Sequence, residues 1–61
     1  MNYTFELLDS KRTLLDRVTL EEYDAEKALA CFEERGYRGN VILQRAGSRP
    51  EAATLIGVFD L

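Results

Sequence analysis

The sequence predicts an α+β domain in which a four-stranded, mainly antiparallel sheet carries one α-helix on one face. One segment alone, near residues 24–35, has apolar residues at helical spacing and marked ends. The segments around it are short, alternating or apolar, and separated by turn residues, as strands are. A chain of 61 residues is long enough for one domain and no more. We therefore expect a single domain over residues 1–61, in the order β-β-α-β-β.

The first half of the sheet is expected from two strands joined by a tight turn. Residues 3–8 alternate, which predicts a strand. The Asp-Ser-Lys sequence at residues 9–11 predicts the turn, because Asp and Ser side chains bond to the nearby backbone. A second strand should cover about residues 12–23, with a bulge or bend near residues 16–17. Its residues expected to share one face are Leu14, Val18 and Leu20.

Two residues compete to begin the helix. Thr19, followed three places later by Glu, matches a capping box, and Asp24 is the rival N-cap. Spacing favours Asp24, because a helix begun at Thr19 would place Leu20 and Tyr23 opposite the apolar stripe. Tyr23 would then precede the cap and pack over Ala28 as a hydrophobic staple.

The end of the helix is marked by Gly36. Glycine reaches the left-handed conformation that closes helices, and Tyr37 then falls where an apolar contact with Phe32 is favourable. Arg35 lies in the last turn, where its charge complements the helix dipole. The helix is therefore expected over about residues 24–35.

Two more strands should follow the helix. A turn at residues 39–40 leads to a strand at residues 41–45, and a loop over residues 46–51 leads to a last strand at residues 53–59. A glycine inside that last strand, Gly57, predicts a bulge or a close backbone approach.

The expected core lies between the helix stripe and the inward side of the sheet. In the last strand, alternation places Leu55 and Phe59 on one face and Ile56 and Val58 on the other. The helix should contribute Ala25, Ala28, Leu29 and Phe32. Their expected partners on the sheet are Phe5, Leu7, Val41, Leu43 and Ile56.

Composition argues against an enzyme, a metal protein or a membrane protein. The chain has no histidine, so the commonest general base and zinc ligand is missing, and its four glycines are scattered singly rather than gathered in a phosphate loop. The lone Cys31 is interpreted as a small apolar residue on a helix flank and fits a reducing compartment. No apolar run approaches the ~20 residues of a membrane span, and no signal-peptide pattern opens the chain. We expect a soluble, cytoplasmic, non-catalytic protein without a cofactor.

Acidic residues are concentrated between residues 16 and 35. This stretch holds seven acidic and three basic residues, in a chain whose net charge is −3. The outward face of the helix should thus be negative. Solubility alone would explain such a face, and so would a surface that meets a basic partner, with carboxylates in place of nucleic-acid phosphates. The candidate partner-binding carboxylates are Glu22, Glu26, Glu33 and Glu34.

Arginine and tyrosine residues form a second candidate surface in the middle and late chain. Both types are enriched at protein interfaces, and both also stack on or pair with RNA. The alternative is that these residues are scattered over the solvated surface without a shared function. The negative net charge argues against direct binding to nucleic acid. The candidates are Arg35, Tyr37, Arg38, Arg45 and Arg49.

The segment VTLEEYDAEKALACFEERGYRGNVILQRA, residues 18–46, resembles a layout of very small phage and mobile-element proteins, among them type I anti-CRISPR proteins. In that layout a hairpin strand leads into an acidic-capped helix with alanine-rich inward positions, then a Gly-containing turn and another strand. The resemblance implies stoichiometric inhibition, by occupying the surface of a Cascade-type complex or its nuclease where DNA would bind. A phage-encoded protein of this kind would act in the host cytoplasm. The resemblance assigns no functional residue, because it includes no diagnostic motif.

The leading hypothesis is a non-catalytic protein-binding module, most concretely a phage-type inhibitor of a host protein or ribonucleoprotein complex that handles nucleic acid. One alternative is a small RNA- or DNA-binding regulator that uses the arginine and tyrosine residues. Another is a homodimeric accessory protein that pairs through an edge strand. The small size and the single cysteine leave two alternatives: the packing of this chain suffices alone, or a second copy or a partner completes the core.

Overall fold

The fold is a four-stranded antiparallel sheet with one helix, in the order β-β-α-β-β, as the sequence predicts. The computed structural model describes residues 1–61, apart from the side chain of Pro50. The strands are β1 (Asn2–Leu8), β2 (Leu14–Glu21), β3 (Asn40–Arg45) and β4 (Thr54–Asp60). The helix is α1 (Ala25–Glu34), and a short 3-10 turn, Pro50–Ala52, precedes β4.

The strands lie side by side in the order β2-β1-β3-β4, and every neighbouring pair is antiparallel. The sheet therefore consists of two hairpins, β1–β2 and β3–β4, joined where β1 pairs with β3. At this central pair Phe5 lies opposite Leu43, and Leu7 lies opposite Val41. The order leaves β2 and β4 as the two edges of the sheet.

The turn of the first hairpin is held by the side chain of Asp9, which confirms the predicted turn. Its Oδ1 accepts hydrogen bonds from the backbone N–H of Lys11 at 2.8 Å and of Thr13 at 2.9 Å. The backbone N–H of Arg12 donates to the Asp9 carbonyl at 3.0 Å. Arg12 itself has a φ of 65°, in the left-handed region that residues other than glycine seldom occupy.

β2 begins at Leu14 and contains an irregularity at Leu15, slightly earlier than the sequence predicts. Leu7 of β1 pairs with Asp16, whereas Leu8 pairs with Leu14, so that Leu15 is the extra residue. An extra residue reverses the alternation of side chains. The bulge therefore separates Leu14 from the rest of the strand.

This bulge corrects the prediction of which β2 residues share a face. Leu14 does not share a face with Val18 and Leu20, because the register shift moves it to the opposite side of the sheet. Leu14 is 45% exposed, while Leu20 belongs to the core.

α1 begins after an N-cap at Asp24, as predicted. The Asp24 carboxylate accepts a hydrogen bond from the backbone N–H of Lys27 at 2.8 Å, and Thr19 lies within β2 instead of starting a helix. The predicted staple between Tyr23 and Ala28 is wrong, because Tyr23 is 80% exposed. The Lys27 ammonium lies over its ring, with Nζ 5.2 Å from the centroid. This cation–π attraction accounts for a ring held on the solvent side.

The end of α1 also follows the prediction. Gly36 has a φ of 90°, and its N–H donates to the Glu33 carbonyl at 2.9 Å, while Arg35 is the C-cap residue. The expected contact between Phe32 and Tyr37 is a parallel stack, with ring centroids 4.4 Å apart. Phe32 stacks in turn on Phe5, at 4.2 Å. The three rings join the helix to the centre of the sheet.

The core lies between α1 and one face of the sheet. Its buried residues are Tyr3, Phe5, Leu20, Ala28, Phe32, Val41 and Leu43. Most of the expected contacts are confirmed, since half-buried residues packed against this cluster include Leu7, Ala25 and Leu29. Cys31 is also half-buried against the core, as expected of a small apolar residue on the helix flank.

A bulge in β4 overturns two further predictions. Gly57 pairs with Leu43 and Leu55 pairs with Gln44, which leaves Ile56 as the extra residue. Ile56 is 40% exposed and does not join the core. The same bulge places Leu55 and Phe59 on opposite faces of the sheet instead of the same one.

Phe59 supplies the contact that Ile56 was expected to make. It lies opposite Val41, on the face that α1 covers, and packs half-buried against the core. Gly57 marks the bulge, as the sequence predicts.

Candidate functional site

The outer face of α1 carries three exposed carboxylates. Glu26 and Glu33 are seven residues apart and so fall on one stripe, since seven residues complete about two helical turns. Glu34 lies beside Glu33, and all three are exposed. Ala30, also exposed, lies between Glu26 and Glu33 and leaves the middle of the face without a long side chain. We call Glu26, Glu33 and Glu34 the α1 acidic face.

No ion pair with another described residue neutralises this acidic face. The salt bridges among the described residues join Glu6 to Arg17 and Glu51 to Arg49. Lys27 is the one basic residue of α1, and its ammonium lies over the Tyr23 ring. The face is therefore negative, and the ring stack fixes its helix on the sheet.

Glu22, the fourth candidate carboxylate, lies outside this face. It follows the end of β2 and precedes α1, where it is half-buried. Its carbonyl accepts a hydrogen bond from the amino group of Met1 at 3.2 Å, and its N–H donates to the Met1 carbonyl at 3.0 Å. The structure thus groups three of the four predicted carboxylates.

The arginine candidates are divided between two ends of the molecule. Arg35 and Arg38 follow the C-terminal end of α1, whereas Arg45 ends β3 and Arg49 lies in the loop beyond it. β3 starts at Asn40, and five residues of strand span roughly 17 Å. The predicted arginine surface is therefore not a single surface.

Two members of this predicted set have structural roles. Tyr37 is half-buried in the ring stack. The Arg38 guanidinium donates from Nη1 to the carbonyl oxygens of Tyr37 at 2.7 Å and Glu33 at 3.4 Å, and so satisfies a carbonyl at the end of α1. Their place in the sequence does not distinguish these roles from partner binding.

A shallow groove of about 440 Å³ crosses the side of the sheet that α1 does not cover. The sequence did not indicate it, because its walls come from three strands and the loop after β3. Inside it, Arg17 Nη2 lies 2.9 Å from Glu6 Oε2. The hydroxyls of Thr4 and Thr19 are 3.4 Å apart on the same face. Its polar lining includes Thr4, Glu6, Arg17, Gln44, Ser48 and Arg49.

The outer edge of β4 is the second feature that the sequence did not indicate. Leu55 and Val58 are 59% and 67% exposed, and Ile56 is exposed as well. Within the described residues β4 pairs with β3 alone. An uncharged apolar run of this kind is typical of a buried strand, and only the strand order places it at an edge. We call Leu55, Ile56 and Val58 the β4 apolar edge.

Among the described residues, no group of three or more Cys, Asp and Glu side chains is placed to hold a metal ion. The same part of the chain includes no helix with the length and apolar character required to cross a membrane. The α1 acidic face and the β4 apolar edge are both exposed surfaces on which another molecule could pack.

No protein-family model matches the chain, and no curated protein or solved structure resembles it closely enough to count as a relative. The resemblance to anti-CRISPR proteins stays a prediction, and the two candidate surfaces depend on the geometry of this chain alone.

Proposed function

We propose that the protein is a non-catalytic protein-binding module that acts by occupying a surface of its partner. The α1 acidic face supports this proposal. Its three carboxylates are exposed, share one side of a helix and have no ion-pair partner among the described residues. A basic surface on the partner is the complement that such a face requires.

The rigidity of α1 favours this mode of binding. Phe32 stacks between Phe5 and Tyr37, so the helix is fixed to the sheet before any partner arrives. A helix backbone that is already fixed loses little conformational entropy on binding. The charges of the face also steer the encounter, which makes the association rate sensitive to salt.

In its narrower form, the proposal names the partner as a host complex that handles nucleic acid. Carboxylates spaced along a helix would then occupy the basic surface that normally binds phosphates. This is the inhibitory mode that the resemblance to type I anti-CRISPR proteins implies. A phage origin and action in the host cytoplasm belong to this narrower form.

The regulator that binds RNA or DNA directly is a weaker candidate. Binding a phosphate backbone requires several basic residues on one surface, and the arginines here lie at two ends of the molecule. Arg38 is additionally occupied with the end of α1.

Neutralising the acidic face tests the proposal. The variant Glu26→Gln/Glu33→Gln/Glu34→Gln should lose at least tenfold of the affinity for a protein captured from host lysate by the parent chain. The matched control Asp16→Asn/Glu21→Gln/Glu51→Gln removes the same charge from exposed positions outside α1 and should bind as the parent does. Equal capture by the two variants would contradict the assignment of this face.

A salt titration with labelled RNA and DNA tests the competing function. We expect no binding by the parent chain at either low or physiological ionic strength. Affinity that falls steeply as salt rises would favour the nucleic-acid regulator instead.

A further inference from the structure

A small pocket of about 150 Å³ lies on the face of the sheet that α1 does not cover. Its apolar floor is formed by Leu8, Ile42 and Val58, which come from the three neighbouring strands β1, β3 and β4. Ile42 pairs with Val58, and it lies between two core residues of β3, so its side chain points away from α1. This part of the uncovered face is therefore apolar at its base.

Two polar side chains, Arg12 and Asn40, complete the wall of the pocket. The carboxylates near them do not neutralise the Arg12 guanidinium. Glu6, in the strand beside β3, is bound to Arg17 at 2.9 Å. Asp60 lies opposite Asn40 on β4 and forms no ion pair with Arg12. Within the described residues, the pocket thus holds a positive charge that has no ion-pair partner.

Arginine is an unfavourable residue for the backbone at position 12. The φ of Arg12 is 65°, a conformation that glycine and asparagine adopt at a lower cost. Residues that break a local rule in this way are often found at functional sites, where the side chain has a use that offsets the strain. No salt bridge of the described residues offsets it here, and the side chain lines the pocket. The charge of Arg12 is therefore the feature of the pocket that points to a ligand.

We propose that this pocket binds a small organic carboxylate with a short apolar tail. The Arg12 guanidinium binds the carboxylate through charge-assisted hydrogen bonds, and the Asn40 amide is a second donor. The tail lies on the apolar floor, as is usual in sites where a few polar groups orient a mainly apolar ligand. A volume of about 150 Å³ equals that of about five water molecules, which limits the tail to about four or five carbon atoms.

This pocket and the α1 acidic face lie on opposite sides of the sheet. The helix covers the face that carries Val41 and Leu43, whereas Ile42 and Val58 point from the other face. The sheet therefore separates a ligand in the pocket from the carboxylates of the helix. The proposal does not depend on the partner-binding role of α1, and variants of the two sites can be tested separately.

Titration of the isotope-labelled chain with isovalerate, followed by two-dimensional NMR, tests the proposal. The backbone amide signals of Leu8, Ile42 and Val58 should shift and saturate in the millimolar range, as expected of a ligand with about seven non-hydrogen atoms. Isovaleramide has nearly the same shape without the charge and should bind at least tenfold more weakly. Acetate keeps the charge but lacks the tail, and it should also bind at least tenfold more weakly.

The variant Arg12→Asn separates ligand binding from folding. It removes the guanidinium and relieves the backbone, so it should melt at a higher temperature than the parent and yet bind isovalerate at least tenfold more weakly. Lys11→Asn removes the same charge one position earlier, outside the pocket, and should bind as the parent does. Val58→Asp places a negative charge on the floor and should abolish binding. Leu15→Asp is its matched control, at a position that is 61% exposed in β2, and should not.

Three results would overturn the proposal. The first is a set of signal shifts that do not saturate or that spread evenly over the surface. The second is an Arg12→Asn variant that binds isovalerate as tightly as the parent does. The third is a short peptide with a C-terminal leucine that binds more than tenfold tighter than isovalerate and loses this affinity when its end is amidated. That result would assign the pocket to the end of a protein chain.

Discussion

The two edge strands of the sheet, β2 and β4, differ in the number of charged residues that they carry. β2 carries Asp16, Arg17 and Glu21, and its Arg17 is paired with Glu6 of the neighbouring strand. β4 presents Leu55, Ile56 and Val58 to solvent and has no charge until its last residue. Charged side chains oppose the addition of another strand, and apolar ones promote it. One edge strand of the sheet therefore carries charges beside its exposed Leu14 and Leu15, and the other has no charge before its last residue.

The two hairpins that contain these edge strands also differ in the connection between their strands. β1 and β2 are joined by a short turn that the side chain of Asp9 holds with two hydrogen bonds. β3 and β4 are joined by a longer connection over residues 46–53. The first connection is therefore held by a side chain, whereas the second has a backbone hydrogen bond from the Ala52 N–H to the Arg49 carbonyl at 2.9 Å.

Replacing Phe32 with alanine should destabilise the whole domain, and with it both edge strands. Phe32→Ala deletes the middle ring of the stack between α1 and the sheet, and such a deletion costs about 3 to 5 kcal/mol. For a domain of this size that loss is most of the total stability. Urea unfolding followed by circular dichroism measures it. Leu15→Ala, at an exposed position, should change stability by less than about 0.5 kcal/mol. A Phe32→Ala variant as stable as the parent would show that the core assignment is wrong.

Asp9→Ala should weaken the first hairpin selectively. The substitution removes an acceptor of two backbone hydrogen bonds, and we expect a loss of about 1 to 2 kcal/mol in the free energy of unfolding. Ser48→Ala is the counterpart in the second hairpin and should cost less than about 0.5 kcal/mol, as exposed substitutions usually do. Equal losses in thermal unfolding would contradict the contrast between the two connections.

The Glu6–Arg17 pair should make a small contribution that salt reduces. Arg17 is largely exposed, and exposed ion pairs contribute about 0.2 to 1 kcal/mol. A double-mutant cycle with Glu6→Gln and Arg17→Gln measures the coupling energy. Repeating the cycle at high salt should shrink it, because exposed charges are screened. Coupling that does not change with salt would point to packing rather than charge as the link between β1 and β2.

The smallest expected effect is a gain in stability at Arg12. Arg12 adopts the left-handed conformation, which asparagine tolerates better than arginine does. Arg12→Asn should raise the free energy of unfolding by about 0.5 kcal/mol, a fraction of the left-handed penalty. Lys11→Asn places the same residue one position earlier, where φ is not positive, and should bring no gain. Equal effects of the two variants would mean that backbone strain at Arg12 is negligible.

Local signals in the sequence were sufficient for the helix. Asp24 and Gly36 act on their own neighbours in the chain, and the contact between Phe32 and Tyr37 also joins residues close in sequence. The ring of Tyr23 departed from this pattern because Lys27, one turn away, offered a competing contact.

The bulges could not be predicted at their observed positions, because they depend on the partner strand. Leu15 and Ile56 become extra residues only through the way β2 meets β1 and β4 meets β3. The first bulge removed Leu14 from the face that it was expected to share with Val18 and Leu20, and the second removed Ile56 from the expected core.

The candidate surfaces likewise differ in whether local sequence signals could predict them. The α1 acidic face follows from helical spacing, so three of its four predicted members were found together. The division of the arginines and the exposure of β4 follow from the strand order β2-β1-β3-β4, which no short segment encodes. The predictions that were wrong are therefore those that depend on which strands pair with one another.

The pairing of β1 with β3 has a kinetic consequence. Each hairpin closes over a short loop. Leu8 and Asn40, which pair at the end of the β1–β3 ladder, are separated in sequence by all of β2 and α1. Closing a long loop costs entropy before any contact compensates for it, and distant pairings of this kind slow folding. We expect the transition state to form at Phe5 and Leu43, so that truncating either residue slows refolding more than it speeds unfolding.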